Sequence, residues 1–416
     1  MTVADNRRIS VLASDRAVHQ AFSWLHLHEP QMRRWQMEFL NIPAPPFREA
    51  TRSAWFCDRF AQIGLHNPRL DSEGNALAEF RSAANAEDTP VVLLSAHLDT
   101  VFPAGTICKP REEEAHILGP GACDNGAGLT ALLGLAAALH HAKIVPACTI
   151  VFAANVGEEG EGDLRGMRHL FSAAPYAGRI HSAIALEGSG DSTVVDRALG
   201  SRRLRVTVTG PGGHSWADAG RPNPIMALAE ALVDLARVKL PARPRTTLNC
   251  GTVQGGTSVN SIPESAHADL DLRSVSSLEL DRIELTVLHT LTRAIERYNH
   301  NQAIPEWELQ LGVARIGNRP AGALAANSAL FKSLVAVDRH LGLTTESRIG
   351  STDANLPLSV GIQALAIGAG GTGWGVHTLQ EGYDPTGREL ALRRVLLLLL
   401  DACALSSSNN LIHSGA

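Results

Sequence analysis

The run Val91-Val92-Leu93-Leu94-Ser95-Ala96 is apolar almost without a break, and it leads into His97-Leu98-Asp99-Thr100-Val101. Such a run, with no alternation, fits a strand buried on both faces, and strands of that kind belong to parallel sheets covered by helices on either side. No other stretch constrains the chain as much, because this one demands further buried strands and the crossover helices that join them. In an extended chain, positions i and i+2 face the same way. The His97 imidazole and the Asp99 carboxylate are therefore expected to leave the strand's C-terminal end together. A carboxylate is a common partner for the second ring nitrogen of a metal-binding histidine. Taken alone, the pair is a weak signal and better suits a solvated histidine beside a turn aspartate.

The demanded partners are present. Ala76 to Phe80 reads as a strand, as does Cys148 to Ala154, which ends in Asn155-Val156-Gly157-Glu158-Glu159-Gly160. Ser182 to Leu186 is another, ending in Glu187-Gly188. Helical spacing covers 14–40, interrupted at Pro30, and 48–64, where Gly64 suits a helix C-terminus. A small-residue helix follows Asp124-Asn125-Gly126 to about His141, another falls near 163–174, and a polar loop occupies 82–90. Strands alternating with helices predict an α/β domain with a mostly parallel sheet. Sites in such sheets lie beyond the strands' C-terminal ends, which is where His97, Glu158, Glu159 and Glu187 fall.

The texture changes near residue 198. Leu204, Val206 and Val208 alternate with Arg203, Arg205 and Thr207, as a half-exposed strand does. Asn223-Pro224 opens a helix, Leu248 to Val253 and Ala266 to Leu272 read as strands, and Ser276 with Glu279 caps a second helix. Trp307, Leu309, Leu311 and Val313 alternate again. The order is βαββαβ, a split βαβ unit. Buried α/β texture resumes after about 317 with Ala364 to Ile367, a glycine-rich loop at 368–375 and a final helix from about 387; the tail from Ser406 is expected to be disordered. With 416 residues, two domains are expected: 1–198 joined to 318–416, with 199–317 inserted.

Composition excludes several classes of function. A net charge of −5 without a basic run argues against nucleic acid and anionic membranes as partners. The first fifteen residues contain no apolar segment of the signal-peptide kind, and the run Val395 to Leu400 stops at Asp401, too short to span a bilayer. Cys57, Cys108, Cys123, Cys148, Cys250 and Cys403 show no paired spacing, which fits reduced thiols. A soluble, cytoplasmic protein is expected.

His97, Asp124, Glu158, Glu159, Glu187 and His377 each follow an apolar strand or sit in a glycine-rich turn of the α/β domain. Individually, each also suits a solvated turn. Together, five segments in order resemble one family. They are Ser-Ala-His-Leu-Asp-Thr-Val-Phe-Pro at 95–103, Gly-Pro-Gly-Ala-Cys-Asp-Asn-Gly at 119–126 and Gly-Glu-Glu-Gly at 157–160. Leu-Glu-Gly at 186–188 and Gly-Trp-Gly-Val-His-Thr-Leu-Gln-Glu at 373–381 complete the set. The family is that of the dinuclear zinc exopeptidases and deacylases, family 20 of the metallopeptidases, which includes aminoacylase-1, carboxypeptidase G, peptidase T and succinyl-diaminopimelate desuccinylase. Gly210-Pro211-Gly212-Gly213-His214-Ser215 and the segment from Gly255 through Asn260 to Pro263 match its inserted domain.

The resemblance implies a zinc-exopeptidase-like catalytic domain over 1–198 and 318–416, and a ferredoxin-like lid and dimerisation domain over 199–317. It implies two divalent metal ions, zinc with cobalt or manganese as alternatives, bridged by Asp124. His97 and Glu187 would complete one site, Glu159 and His377 the other. Neighbouring residues of an extended segment point apart, so Glu158 is left over the water as general base, with Asp99 supporting His97. His214 would stabilise the oxyanion in a neighbouring subunit of a homodimer. Asn260 would contact substrate or oxyanion, and Arg273 a substrate carboxylate, unless it is an ion-paired strand arginine. The implied activity is amide hydrolysis in a small peptide by a hydroxide held at the metals. The alternatives are deacylation of an N-acyl amino acid and non-catalytic binding of peptides or amino acids.

Three departures stand out. Asp124-Asn125-Gly126 replaces the Asp-Asp-Lys or Asp-Met-Lys of many relatives, and Arg348 sits one place from the peptidase T arginine. Trp216 and Trp374 are bulky at positions where they would narrow a pocket.

Overall fold

The computed structural model describes residues 3–81, 89–173, 175–301 and 307–413, so most of the expected 82–90 loop lies outside the described residues. Two compact units emerge, Met1–Ala198 with Ala323–Ala416, and Leu199–Gly322. The excursion closes at Gly322 and not at 317, because the strand Gln310–Arg319 carries the second unit's sheet past that point.

At the centre of the first unit lie four parallel strands, in the order Thr149–Asn155, Val91–His97, Ile180–Leu186 and Gln363–Ile367. Ala76–Phe80 and Thr193–Ala198 flank them antiparallel. Val91–His97 and Thr149–Asn155 are buried at every residue. Helices Gly126–His141 and Arg388–His413 both pack against Val91–His97 and Ile180–Leu186. The first is buried from Gly126 through Leu139, and its alanines and glycines let it lie close to the strands. Each fully buried leucine of this core stabilises the fold by about 1.5–3 kcal/mol.

Some elements went unread in the sequence. Helix Val3–Ala13 and strand His66–Leu70 have no sustained apolar pattern, the strand being a half-exposed edge that contains Pro68. Pro30 does interrupt the 14–40 region, by starting a new helix: Arg16–Leu27 is followed by Glu29–Leu40 with proline in its first turn. The final helix continues to His413, past the Ser406 at which order was expected to end.

Four antiparallel strands form the second unit's sheet, in the order Thr246–Gly255, Ser265–Ser274, Gly200–Thr209, Gln310–Arg319. Helices Pro224–Ala236 and Ser277–His300 pack on the face made by Leu204, Val206, Val208, Ala268 and Leu270. Asn223 and Ser276 cap them, accepting main-chain N–H groups of Ile225 and Glu279 respectively. The chain order is the expected βαββαβ. The opposite face is polar, with Arg205 paired to Asp269 on the adjacent strand at 2.8 Å. Among the described residues no helix is long and apolar enough to cross a membrane.

Candidate metal centre

Parallel strands end at the same edge of a sheet, and that edge collects the candidate ligands. His97 is the last residue of Val91–His97, Glu187 follows Ile180–Leu186, and Glu158 and Glu159 follow Thr149–Asn155 within four residues. Asp124 arrives from the loop that opens helix Gly126–His141. His377 comes from a loop between Thr372–Trp374 and Gly382–Asp384, two strands of a small four-stranded sheet.

Asp124 lies at the centre. Its Oδ1 is 3.0 Å from His97 Nε2, and its Oδ2 is 2.9 Å from His377 Nε2. Glu187 Oε1 stands 3.4 Å from His97 Nε2, and Glu159 Oε1 stands 3.1 Å from His377 Nε2. Two three-residue clusters therefore share one carboxylate: His97, Asp124, Glu187 and Asp124, Glu159, His377, each with ligand atoms within 4.8 Å of one another. His97 with Glu158 and Glu159 meets the same criterion. His377 holds its place with φ of 66°, a left-handed conformation that costs a non-glycine residue about 1–3 kcal/mol and is concentrated at functional sites.

The protons decide what this cluster can hold. His97 Nδ1 lies 3.0 Å from the main-chain oxygen of Asp99. A carbonyl only accepts, so Nδ1 carries the proton and Nε2 faces the carboxylates. Carboxylates also only accept, so that face needs either a second ring proton or a cation. The crowding of carboxylates shows in the protonation equilibria. Burial pushes Glu159 up to about 8 and Glu187 up to about 7, the nearby Glu158 and Asp124 carboxylates adding to the effect. Hydrogen bonding to Asp124 raises His377 to about 9. Burial opposes a charge on His97, but Glu187 and Asp124 outweigh it and its pKa is raised. Burial likewise opposes the charge on Asp124, yet the two histidines hold its pKa well below the usual range. Nitrogen and oxygen donors with no thiolate suit divalent zinc, manganese or cobalt. One carboxylate can bridge ions about 3.5–4 Å apart. The donor set fits divalent metal ions.

Asp99 lies beside His97 and also reaches a second segment. The strand ends at His97, and the Leu98 N–H makes the ladder's last bond, to the Asn155 carbonyl at 2.7 Å. The Asp99 carboxylate accepts the main-chain N–H groups of Glu158 at 3.0 Å and Glu159 at 2.7 Å. Its main-chain oxygen makes the hydrogen bond to the imidazole at 3.0 Å, and the carboxylate stands further off, 3.8 Å from His97 Nδ1.

The Asp124-Asn125-Gly126 departure has a packing reason. Asn125 donates from Nδ2 to the Leu186 carbonyl at 2.8 Å, and its Oδ1 accepts from the N–H groups of Gly128 and Gly188. This ties the loop to the strand that delivers Glu187. A Cβ at Gly126 would stand 2.5 Å from the Gly121 carbonyl, so no lysine fits there. Two further residues have no role in the sequence reading, although Glu381 closes the matched 373–381 segment. Glu381 accepts N–H groups from the Asp124 loop, and buried Asp353 accepts from Asn155 Nδ2 at 2.8 Å. Burial, then the charge of Glu158, raises the Asp353 pKa well above the usual range.

In the second unit, strand Gly213–His214 pairs with Ser261–Ile262, and the Ser215 N–H donates to the Asn260 carbonyl at 3.0 Å. His214 and Asn260 are thus neighbours. His214 Nδ1 accepts from the N–H groups of Trp216 and Ala217. Arg273 lies near the far end of Ser265–Ser274 from that loop pair and donates to Asp271 at 2.6 Å. Trp216 is 88% exposed. In the first unit Trp374 meets His116 edge to face, ring centres 5.4 Å apart, and exposed Arg348 pairs with Glu346.

The parallel-centred α/β domain thus gathers two candidate ligand clusters that share Asp124 beyond its strand ends. Residues 198–299 match the model of the peptidase dimerisation domain, and residues 75–202 match that of peptidase family M28. A probable carboxypeptidase of Aspergillus clavatus is 30% identical over 256 residues, covering 57% of this chain and 56% of the relative. The chain spans about half the length of the curated relatives it matches. A tripeptidase from Staphylococcus aureus has a similar structure, with TM-score 0.71 and 21% identity over 91% of this chain and 99% of that one. So does the YXEP protein of Bacillus subtilis, a dinuclear metal-binding peptidase from the M20 family, with TM-score 0.65 and 14% identity over 90% and 98% of the two chains. The chain shares the fold of these peptidases.

Proposed function

We propose that the protein hydrolyses an amide bond in a small peptide at a pair of zinc ions. The observation that carries this reading is Asp124, whose two carboxylate oxygens face His97 and His377 separately. His97 and Glu187 would hold one ion with Asp124, and Glu159 and His377 the other. Bound metals would lower the pKa of water to about 7 and polarise the substrate carbonyl. Glu158, buried at the same edge, takes the proton of the attacking water on a carboxylate oxygen and passes it to the leaving amine nitrogen. Asp99 fixes the main chain on which Glu158 sits. The peptidase names of the matched relatives support a peptide as substrate. Scattered cysteines support a reducing compartment, the cytoplasm.

Residues 199–322 form the homodimer contact in this reading, supported by the dimerisation-domain match. Following the family resemblance, His214 of the partner subunit serves the oxyanion, with Asn260 and Arg273 as substrate contacts. Co-expressed Glu158→Gln and His214→Ala chains, each inactive alone, should then regain part of the activity as mixed dimers. No recovery in confirmed mixed dimers of folded, metal-loaded chains refutes that arrangement.

The decisive experiment combines elemental analysis with a panel of dipeptides, tripeptides and N-acyl amino acids, assayed with zinc, cobalt or manganese. About two ions per chain and cleavage of peptides are expected. Preference for N-acyl amino acids would make the protein a deacylase. A folded protein that takes up no divalent metal under saturating zinc overturns the reading.

A further inference from the structure

We propose that Glu381 is a positioning residue that sets both metal positions at once without being a ligand. The inference rests on the metal-centre reading above. Its carboxylate is 1% exposed and accepts three main-chain N–H groups from a single loop: Gly121 at 3.0 Å, Cys123 at 2.8 Å and Asp124 at 2.8 Å. Its own main-chain oxygen accepts the Gly119 N–H at 2.8 Å. The loop that carries Asp124 is therefore bonded to one residue at four points.

Glu381 is also part of the His377 loop. The turn between them is short and bonded within itself: Thr378 donates from its N–H and its hydroxyl to Gly375, and the Glu381 N–H donates to Thr378. Strand Gly382–Asp384 begins immediately afterwards and pairs with both Thr372–Trp374 and His116–Leu118. Glu381 thus joins the segment presenting His377 to the segment presenting the carboxylate that faces both clusters. A displacement of this joint moves Asp124 relative to His97 and to His377 together.

A buried carboxylate is costly unless its oxygens are satisfied. Here N–H groups satisfy them, through charge-assisted bonds stronger than those of a neutral acceptor. Glutamine offers one acceptor oxygen and an NH₂ that would face an N–H, so Glu381→Gln keeps the shape and loses part of the bonding. Outer partners of metal ligands typically change metal affinity by about 10–100-fold.

The test is a buffered zinc titration of the full chain with a competing chelator, alongside the visible spectrum of the cobalt-substituted protein. Glu381→Gln should weaken both ions together by about 10–100-fold and alter the cobalt spectrum, and Glu381→Ala should weaken them further. Glu381→Asp, too short to span the same N–H groups, provides a second variant should the glutamine protein be too unstable to purify. Asp401→Asn is the control: Asp401 is buried and bonds Arg8 and Ser333, and its loss should lower the melting temperature with zinc affinity unchanged. Wild-type zinc affinity in Glu381→Gln or Glu381→Asp overturns the proposal, as does an equal loss of affinity in Asp401→Asn. A wild-type chain that binds no divalent metal fails at the earlier step and overturns the metal-centre reading itself.

Discussion

The carboxylate of Asp99 receives the main-chain N–H of Glu159 at 2.7 Å, while its main-chain oxygen lies 3.0 Å from His97 Nδ1. One residue thereby orients a candidate ligand of each metal position. Asp99→Asn keeps the main-chain contact and replaces one acceptor oxygen with an NH₂ that faces an N–H. Activity should fall by about 10–100-fold with His97 still able to bind metal. Steady-state kinetics with metal analysis checks this; wild-type turnover in a metal-loaded Asp99→Asn protein refutes it.

Sharing of Asp124 makes the two metal positions unequal in their response to mutation. Asp124→Ala removes an oxygen from both clusters, whereas His97→Ala removes a ligand from one. Elemental analysis should find close to no bound metal in the first variant and about one ion per chain in the second, against about two in wild type. Equal losses in the two variants would argue against a bridging carboxylate.

The roles of Glu158 and Glu159 separate in the same way. Glu158→Gln should retain both metals and lose about 10²–10⁴-fold in turnover, the range for a general base. Glu159→Gln should lose metal from the His377 position. Release of zinc by Glu158→Gln with near-normal turnover would reverse the two assignments.

Stability should also depend on pH through His181, which lies on strand Ile180–Leu186 with its Nδ1 2.9 Å from the Ser406 hydroxyl. Burial lowers its pKa, so the unfolded chain takes up the proton first as pH falls below about 6.5. Its contribution is present above that pH and is lost towards the lower folded-state pKa. Between pH 7.5 and 5, roughly the window of that titration, the melting temperature should fall more steeply for wild type than for His181→Gln. Parallel curves for the two proteins would refute the assignment.

The sequence by itself determined the buried strands, because a continuous apolar run such as Val91 to Ala96 has few other places to go. It also determined the βαββαβ order of the second unit, where side-chain alternation and the caps Asn223 and Ser276 mark the boundaries. Parallel pairing then placed His97, Glu158, Glu159 and Glu187 at one edge, which follows from strand direction alone. Tertiary structure decided the rest. Whether Asp99 bonds His97 through its side chain or its main chain depends on the path of the loop after His97, which sets the main-chain oxygen at 3.0 Å and the carboxylate at 3.8 Å from Nδ1. Glu381 gains its meaning only when 119–124 and 377–381, more than 250 positions apart, are folded against each other. Local pattern records how each segment buries its own apolar face. Hydrogen bonds between distant loops leave no periodic trace in the chain, since a single carboxylate in either loop can supply them.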